Sequence, residues 1–325
     1  MHTGYIAMTY HIRLAARGCY RVYVNVVFIF SASLPIGTIP FTCNLSRLQP
    51  HHELIGSSQE AAMTFGTLDF HTALITGGGG GIGKAIAKYF VSQGKQVIIA
   101  GRTEKNLQET VQELSHKASY YILDTGNLQS LSDFIEKVTL EHPNLDCLVN
   151  NAGVQKPLDV SELSPQEFLQ KADQEIAINI NGPMHLAVGL LPHLQRRKEG
   201  AIIMNVSSTL GYLPTSIINP VYNGSKAWVH FFSMNLRTQL QGTNVRVIEI
   251  APPQVSTDLH RERKDPDDNK GPSAMPIDVF MNDVVAAWKE DRETIGAGPS
   301  KKIVERWYRE FGEDYNTAAS SWGPK

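Results

Sequence analysis

The fold is decided by residues 72–83, which read TALITGGGGGIG. The first five residues of this stretch are suited to a buried strand, and residues 82–93 have the apolar period of a helix. Glycine is needed between them, because so tight a turn requires positive φ angles and because a pyrophosphate must approach backbone N–H groups closely. The stretch therefore predicts a strand, a phosphate-binding turn and a helix, as at the start of a dinucleotide-binding unit.

Short apolar runs alternate with longer segments of helical period through the rest of the chain, which is typical of a parallel sheet with helices on both faces. Besides residues 72–76, buried strands are predicted at 96–100, 120–123, 146–150, 201–206 and 245–250. Helices are predicted at 82–93, 104–116, 128–141, 164–195, 221–241 and 277–289. We therefore expect an α/β fold, a Rossmann-type doubly wound parallel sheet in three α/β/α layers.

The composition limits the kinds of partner. Of 325 residues 42% are hydrophobic and 19% charged, which suits a globular protein with a large core. The formal net charge is −2, and there is no basic run of the kind that binds a phosphate backbone, so we expect no nucleic acid partner. Three scattered cysteines and no paired Cys or His spacing predict neither a disulfide framework nor a metal site.

The first 62 residues differ from the remainder. Glu53 is the first acidic residue, while Arg13, Arg17 and Arg21 recur every four positions before the apolar run 22–30. This pattern is typical of a targeting segment, secretory or mitochondrial; the alternative is that translation starts at Met63 and the upstream part is a gene-model artefact. We expect an N-terminal extension at 1–62, a catalytic Rossmann domain at 63–300 and a C-terminal tail at 301–325.

Two glycosylation sequons bear on the compartment. They begin at Asn205 and Asn223, beside residues that we interpret below as catalytic, where a glycan would block the site. We therefore expect a cytoplasmic protein, with a mitochondrial or ER-associated one as the alternative if residues 1–62 are translated. Contact with a membrane is expected only in that case.

The end of the second strand bears on the choice of coenzyme. An acidic residue there usually binds the free 2′-hydroxyl of NAD, but this chain has Ala100-Gly101-Arg102. The planar guanidinium of Arg102 suits a 2′-phosphate, so NADP is favoured and NAD remains possible. The alternative is that Arg102 is a solvated residue at a helix start. Asp124, after the third strand, is interpreted either as an acceptor for the adenine amino group or as the cap of a turn.

A candidate proton donor lies at the start of the helix predicted at 221–241. Tyr222 and Lys226 are four residues apart and so share one helix face. An ammonium group beside a phenol favours the phenolate, so Tyr222 is suited to act as an acid or base. Ser208 follows a strand whose carboxyl end opens on the ligand crevice, where its hydroxyl can bond a substrate oxygen. For Ser208 alone, a strand-end hydroxyl bonded to the backbone would be the simpler interpretation.

These motifs together resemble the short-chain dehydrogenase/reductase family between Thr72 and Leu259. The five matching places, in family order, are Thr76-Gly77 with Gly81 and Gly83; Asn150-Asn151-Ala152-Gly153; Asn179 with Gly182; Ser208 with Gly211; and Tyr222 with Lys226. The resemblance implies a catalytic tetrad of Asn179, Ser208, Tyr222 and Lys226, in which Asn179 holds a water that links Lys226 to solvent.

The resemblance also implies a set of coenzyme contacts. They are Thr76, Gly77, Gly79, Gly80, Gly81, Ile82, Gly83, Arg102, Asp124, Asn151, Ala152, Gly153, Tyr222, Lys226, Pro252, Val255 and Thr257. The family usually has Pro-Gly where this chain has Pro252-Pro253, so the loop shape there is open. Together with residues 144–146 and 155–156, Pro252-Pro253 most resembles the branch whose bacterial members are associated with D-alanine esterification of lipoteichoic acid. That association is no guide to the substrate.

The function implied is NADP(H)-dependent interconversion of a carbonyl and an alcohol, with Tyr222 as general acid and base. The substrate would be a small molecule. A catalytically silent nucleotide-binding or redox-sensing protein is the alternative that the fold alone permits. The helices at 164–195 and 221–241 carry more apolar surface than one sheet face needs, and in this family such helices form dimer interfaces, so we expect a homodimer or homotetramer.

Overall fold

The computed structural model describes residues 5–14, 22–31, 65–115, 117–260 and 273–322, the first two ranges by their backbone alone. The chain divides into two compact units, residues 1–57 and 58–325. In the first unit, strands β1 (Tyr5–Leu14) and β2 (Val22–Ser31) pair antiparallel, with Tyr5 opposite Ser31. The interpretations of residues 1–62 as a targeting segment or an artefact fall largely outside the described residues and stay predictions.

The second unit is organised around one parallel sheet. Within the described residues it has seven strands: β3 (Thr72–Thr76), β4 (Gln96–Gly101), β5 (Ala118–Ile122), β6 (Leu145–Asn150), β7 (Ala201–Val206), β8 (Val245–Ala251) and β9 (Thr294–Gly296). Their order across the sheet is β5-β4-β3-β6-β7-β8-β9, and every neighbouring pair is parallel. The order reverses between β3 and β6, which opens a crevice at the carboxyl ends of these strands.

Helices cover both faces of the sheet: α1 (Gly81–Ser92), α2 (Glu104–Glu113), α3 (Leu128–Glu141), α4 (Pro165–Ile176), α5 (Gly182–Gln195), α6 (Pro220–Gln239), α7 (Ile277–Lys289) and α8 (Pro299–Ala319). Side chains of β3 point alternately to two separate cores. Ile75 packs in the core that contains residues of α1, α2 and α7, and Leu74 in the core that contains residues of α3, α5 and α6. The three-layer, doubly wound fold expected from the sequence is confirmed.

The helix predicted at 164–195 is not continuous. It divides into α4, a π-helical turn at Ala177–Asn181, and α5. Pro183 has no N–H for the hydrogen-bond ladder, and a Cβ at Gly182 would lie 2.7 Å from the carbonyl oxygen of Thr125. Ser164 begins α4 with a capping box, in which its side chain accepts from the Glu167 backbone.

Two elements near the C-terminus were missed. Strand β9 has only three residues, too few for a periodic signal, and β8 supplies its pairing. Residues 301–325 were expected to form a tail, but α8 begins at Pro299 and packs against β9. Its buried face, which includes Val304 and Gly312, is narrow and mostly small, so it gives a weak sequence signal.

Residues 261–272 lie outside the described part, and Met275 pairs with Val255 in an isolated parallel bridge. Among the described residues, no helix combines the length and apolarity that a membrane span requires.

Candidate active site

The described residues enclose a cavity of about 300 Å³ at the carboxyl ends of β3, β4, β6, β7 and β8. Most residues predicted from the sequence to form the site line it: Gly77, Gly79, Gly80, Gly81, Ile82, Arg102, Asn151, Ala152, Gly153, Ser208, Tyr222, Lys226, Pro252, Val255 and Thr257. Four predicted residues are absent from its lining, namely Thr76, Gly83, Asp124 and Asn179. The structure therefore brings the glycine turn and the Tyr222–Lys226 pair to one crevice.

The glycine turn has the shape of a phosphate cradle. Gly77 and Gly81 have φ of 68° and 50°, which disfavour any other residue. A Cβ at Gly80 would meet nothing within 4 Å, so the backbone there faces open space. Helix α1 has no side-chain cap at Gly80, and its first N–H groups are left for an anion. These features fit the pyrophosphate of a dinucleotide coenzyme.

Gly83 and Thr76 support the turn from behind. A Cβ at Gly83 would lie 2.4 Å from the carbonyl oxygen of Gly77, so only glycine allows α1 to pack this closely. The Thr76 hydroxyl accepts from the backbone N–H groups of Asn151 and Ala152, each at 3.0 Å. The Asn151 side chain donates to the Thr76 carbonyl at 3.0 Å. The turn after β6 is thereby held against the glycine turn.

Arg102 lies in the cavity wall just after β4. Thr103 and Asn106, which sequence reasoning missed, line the same wall. Among the described residues that line the cavity, the one acidic side chain is Asp258, which follows β8 rather than β4. The wall after β4 thus offers a cation, a hydroxyl and an amide, groups that suit an anionic phosphate.

Asp124 does not line the cavity. Its Oδ1 accepts from the backbone N–H of Gly126 at 2.9 Å, which is the turn-capping arrangement that the sequence left open. The neighbouring residues Leu123 and Thr125 line the cavity instead. The carboxylate of Asp124 is therefore engaged with its own turn.

Tyr222 and Lys226 are buried on the first turns of α6. The Nζ atom of Lys226 lies 5.6 Å from the centre of the Tyr222 ring and donates to the carbonyl oxygen of Val206 at 2.8 Å. Burial lowers the pKa of Lys226 to about 8, against the opposing effect of Glu175. Burial raises the pKa of Tyr222, while a hydrogen bond from Ser208 lowers it.

Ser208 lies in extended backbone, two residues after the end of β7. Its Oγ accepts from the backbone N–H of Leu210 at 3.2 Å, so the hydroxyl proton can be directed to another acceptor. Ser208, Tyr222 and Lys226 all line the cavity. A phenol that retains its proton, a hydroxyl and a nearby ammonium can together polarise a carbonyl oxygen and protonate it.

Asn179 lies within the π-helical turn, behind the cavity wall. Its Oδ1 accepts from the Val154 N–H at 2.9 Å, and its Nδ2 donates to the Val154 carbonyl oxygen at 2.8 Å. Nδ2 also contacts Ser225 Oγ at 3.2 Å and Glu175 Oε1 at 3.4 Å. The side chain joins the strand end after β6 to α6, and π turns are frequent at functional sites.

Comparison with known proteins identifies the family. The model of the family described as short chain dehydrogenase matches residues 71–268. The uncharacterized oxidoreductase DltE of Bacillus subtilis is 41% identical over 197 residues, which are 60% of this chain and 75% of DltE. The NADP-dependent 3-hydroxy acid dehydrogenase YdfG of Escherichia coli K12 is 36% identical over 200 residues, 61% of this chain and 78% of that protein. These names agree with the expected enzyme class, an oxidoreductase that acts on CH–OH groups.

Solved structures share the fold. A serine dehydrogenase complexed with NADP⁺ is 30% identical, has a TM-score of 0.62 and is covered over 95% of its length by 71% of this chain. A short-chain dehydrogenase from Sphingobium yanoikuyae in complex with NADPH has a TM-score of 0.67 at 20% identity, over 79% of this chain and 98% of that one. The NADP⁺ bound to the serine dehydrogenase agrees with the coenzyme expected from the sequence. The chain belongs to the short chain dehydrogenase family.

Proposed function

We propose that this protein interconverts a carbonyl and an alcohol with NADP(H), with Tyr222 as the general acid and base. The observation that carries the proposal is the convergence of Ser208, Tyr222 and Lys226 on the cavity that begins at the glycine turn. A silent nucleotide-binding protein would have no need to bury a phenol beside an ammonium group at this place, because burial of both groups has a free-energy cost.

The residues divide the work as follows. When bound, the nicotinamide coenzyme supplies or accepts the hydride. Ser208 bonds the substrate oxygen, and Tyr222 gives its proton to that oxygen during reduction. Lys226 holds the ribose and favours the phenolate left on Tyr222. Asn179 keeps the end of β6 in register with α6, where a water can connect Lys226 to solvent.

Absorbance at 340 nm tests the proposal. NADPH oxidation is followed with a panel of aldehydes and ketones, and NADP⁺ reduction with alcohols. The panel includes 3-hydroxy acids and serine, because proteins similar to this chain are named for them. We expect turnover with at least one member. Tight NADPH binding without turnover on any of them would favour the silent alternative.

NADP is proposed as the preferred coenzyme because Arg102 stands where an acid would bind the 2′-hydroxyl of NAD. We expect Arg102→Ala to raise the KM for NADPH by about 10- to 100-fold, since charge-assisted hydrogen bonds contribute about 1.5–3 kcal/mol. The KM for NADH should change by less than about threefold, because NADH lacks the phosphate. Steady-state kinetics with both coenzymes measure this.

Lys105→Ala is the matched control for Arg102. Lys105 is a highly exposed cation on α2, and it is absent from the cavity lining. Its removal should change the KM for NADPH by less than about threefold, because exposed charges are screened by solvent. An equal rise of the KM for NADPH in the two variants would show that Arg102 acts only as a general surface charge. It would contradict the proposed preference for NADP.

We expect the pH profile of the enzyme to have a descending limb near pH 8, caused by Lys226. Its ammonium is protonated below about pH 8 and loses its charge as the pH rises through that value. The kcat/KM for NADPH, which reports ionisations of the free enzyme, should therefore fall above about pH 8. Lys226→Arg should lose this limb, whatever its absolute rate, since a guanidinium stays protonated. An unchanged limb in Lys226→Arg would assign it to another group.

A cytoplasmic location is proposed from the two sequons. Asn205 and Asn223 are both buried, so a glycan at either would be incompatible with this fold.

A homo-oligomer is proposed because Val188 on α5 and Phe231 on α6 leave half of their apolar surface exposed. Light scattering during gel filtration measures the oligomeric state.

A further inference from the structure

A fully buried carboxylate lies behind the strand end that carries Ser208. Glu249, on β8, has no exposed surface. Its Oε1 accepts from the Ser207 hydroxyl at 2.5 Å, and its Oε2 lies 2.8 Å from Nδ1 of His230, which is also fully buried. None of the roles proposed above for the cavity residues involves Glu249 or His230.

The histidine is oriented by its surroundings. Its Nε2 atom has no hydrogen-bond partner within the described part of the chain, whereas Nδ1 faces the carboxylate of Glu249. A ring proton on Nδ1 satisfies Glu249 and leaves no N–H without an acceptor. The ring of Tyr212 packs on His230 with the ring centres 4.1 Å apart, which fixes the plane of the imidazole.

The network connects the elements that hold the two reacting hydroxyls. Ser207 follows the last residue of β7, precedes Ser208 and lines the cavity. His230 lies on α6, two turns after Tyr222. Glu249 bonds both Ser207 and His230, so it sets the separation between the strand that carries Ser208 and the helix that carries Tyr222.

Further hydrogen bonds hold the residues on either side of Ser208 in place. The Ser207 N–H donates to the Ile250 carbonyl oxygen at 2.8 Å, and the N–H and hydroxyl of Thr209 both donate to the Pro252 carbonyl oxygen at 2.9 Å. Stability alone does not explain this buried polar pair, because well-packed apolar residues in place of a buried pair are often as stabilising. A more direct reason for the pair than stability is that it orients a neighbouring group.

We propose that Glu249 and His230 are positioning residues, which act through Ser207 to hold the Ser208 hydroxyl in line with the Tyr222 phenol. The inference rests on the proposed function. It assigns to β8 and the middle of α6 a part in the reaction although neither Glu249 nor His230 lines the cavity.

A double-mutant cycle on kcat tests the inference. Ser207→Ala should lower kcat about tenfold, since small misplacements of a reacting group are costly. The KM for the carbonyl substrate and the Kd for NADPH should stay within about twofold. In the Ser208→Ala background the same change should lower kcat no further, because its target is gone. An equal loss in both backgrounds overturns the inference, as does an unchanged kcat in Ser207→Ala alone.

Two replacements of Glu249 separate geometry from stability. Glu249→Gln keeps an acceptor for Ser207 and should hold kcat within about threefold, whereas Glu249→Leu removes the acceptor and should lower kcat about as much as Ser207→Ala. The melting temperature and NADPH binding confirm that each variant is folded. A loss of kcat that follows the melting temperature instead of the acceptor contradicts positioning.

Crystal structures with NADP⁺ give a readout without turnover. In Ser207→Ala and Glu249→Leu, the Ser208 Oγ should rotate or shift by about 1 Å relative to the Tyr222 phenol, a misplacement large enough to impair catalysis. An unmoved Ser208 overturns the inference even where no substrate is turned over. Failure of the proposed function would show differently, as the absence of turnover by the wild-type protein.

Discussion

Tyr222→Phe is expected to lower kcat by about 10²- to 10⁴-fold, the usual contribution of a positioned general acid or base. The substitution removes one oxygen atom and keeps the buried ring. Since burial raises the pKa of Tyr222, the phenol carries its proton at neutral pH and is ready to donate it to a substrate oxygen. The phenol is also hydrogen-bonded to Ser208, the hydroxyl proposed to bond the substrate oxygen.

Coenzyme binding should survive this change. The Kd for NADPH, measured by the coenzyme's fluorescence, should stay within about threefold, because the glycine turn and Arg102 are untouched. Tyr120→Phe is the matched control: its phenol donates to Glu104 at 3.0 Å on the surface, and its loss should leave kcat unchanged. A Tyr222→Phe protein that binds NADPH and turns over at the wild-type rate would remove Tyr222 from the mechanism.

The fold was largely predictable from residues 65–251 because each element there has its own local signal. The strands that pair with neighbours on both sides are mostly apolar, and glycines mark the start of α1 and the residues after α1 and α6. Strand β9 and helix α8 were not predictable in this way. A three-residue edge strand is defined by its partner β8, and α8 by the surface that β9 creates for it.

The placement of a candidate residue in the cavity was predictable where its own backbone position fixes it. The glycine turn and the Tyr222–Lys226 spacing are of this kind. Asp124 illustrates the limit, since a carboxylate after a strand suits a ligand or its own turn equally well, and the choice depends on how the 124–126 turn is folded. The Glu249–His230 contact was invisible for a related reason: the two residues are 19 positions apart and meet only when α6 packs on β8.

Ser208→Ala should lower kcat by about 10²- to 10³-fold, the range found when one hydrogen-bond donor to a developing oxyanion is removed. The expected loss has two parts. In the substrate complex the substrate oxygen loses a donor. In the free enzyme Tyr222 loses the hydrogen bond that lowers its pKa, so its phenolate becomes harder to form.

Comparison of the two reaction directions separates these parts. Alcohol oxidation requires the phenolate. In Ser208→Ala the pH at which its kcat/KM rises should therefore be higher than in the wild-type enzyme. Ser208→Thr retains a hydroxyl and should recover much of kcat. If Ser208→Ala and Ser208→Thr lose activity equally, the hydroxyl has no role in turnover. If Ser208→Ala retains full kcat, the oxygen of the substrate is polarised by another group.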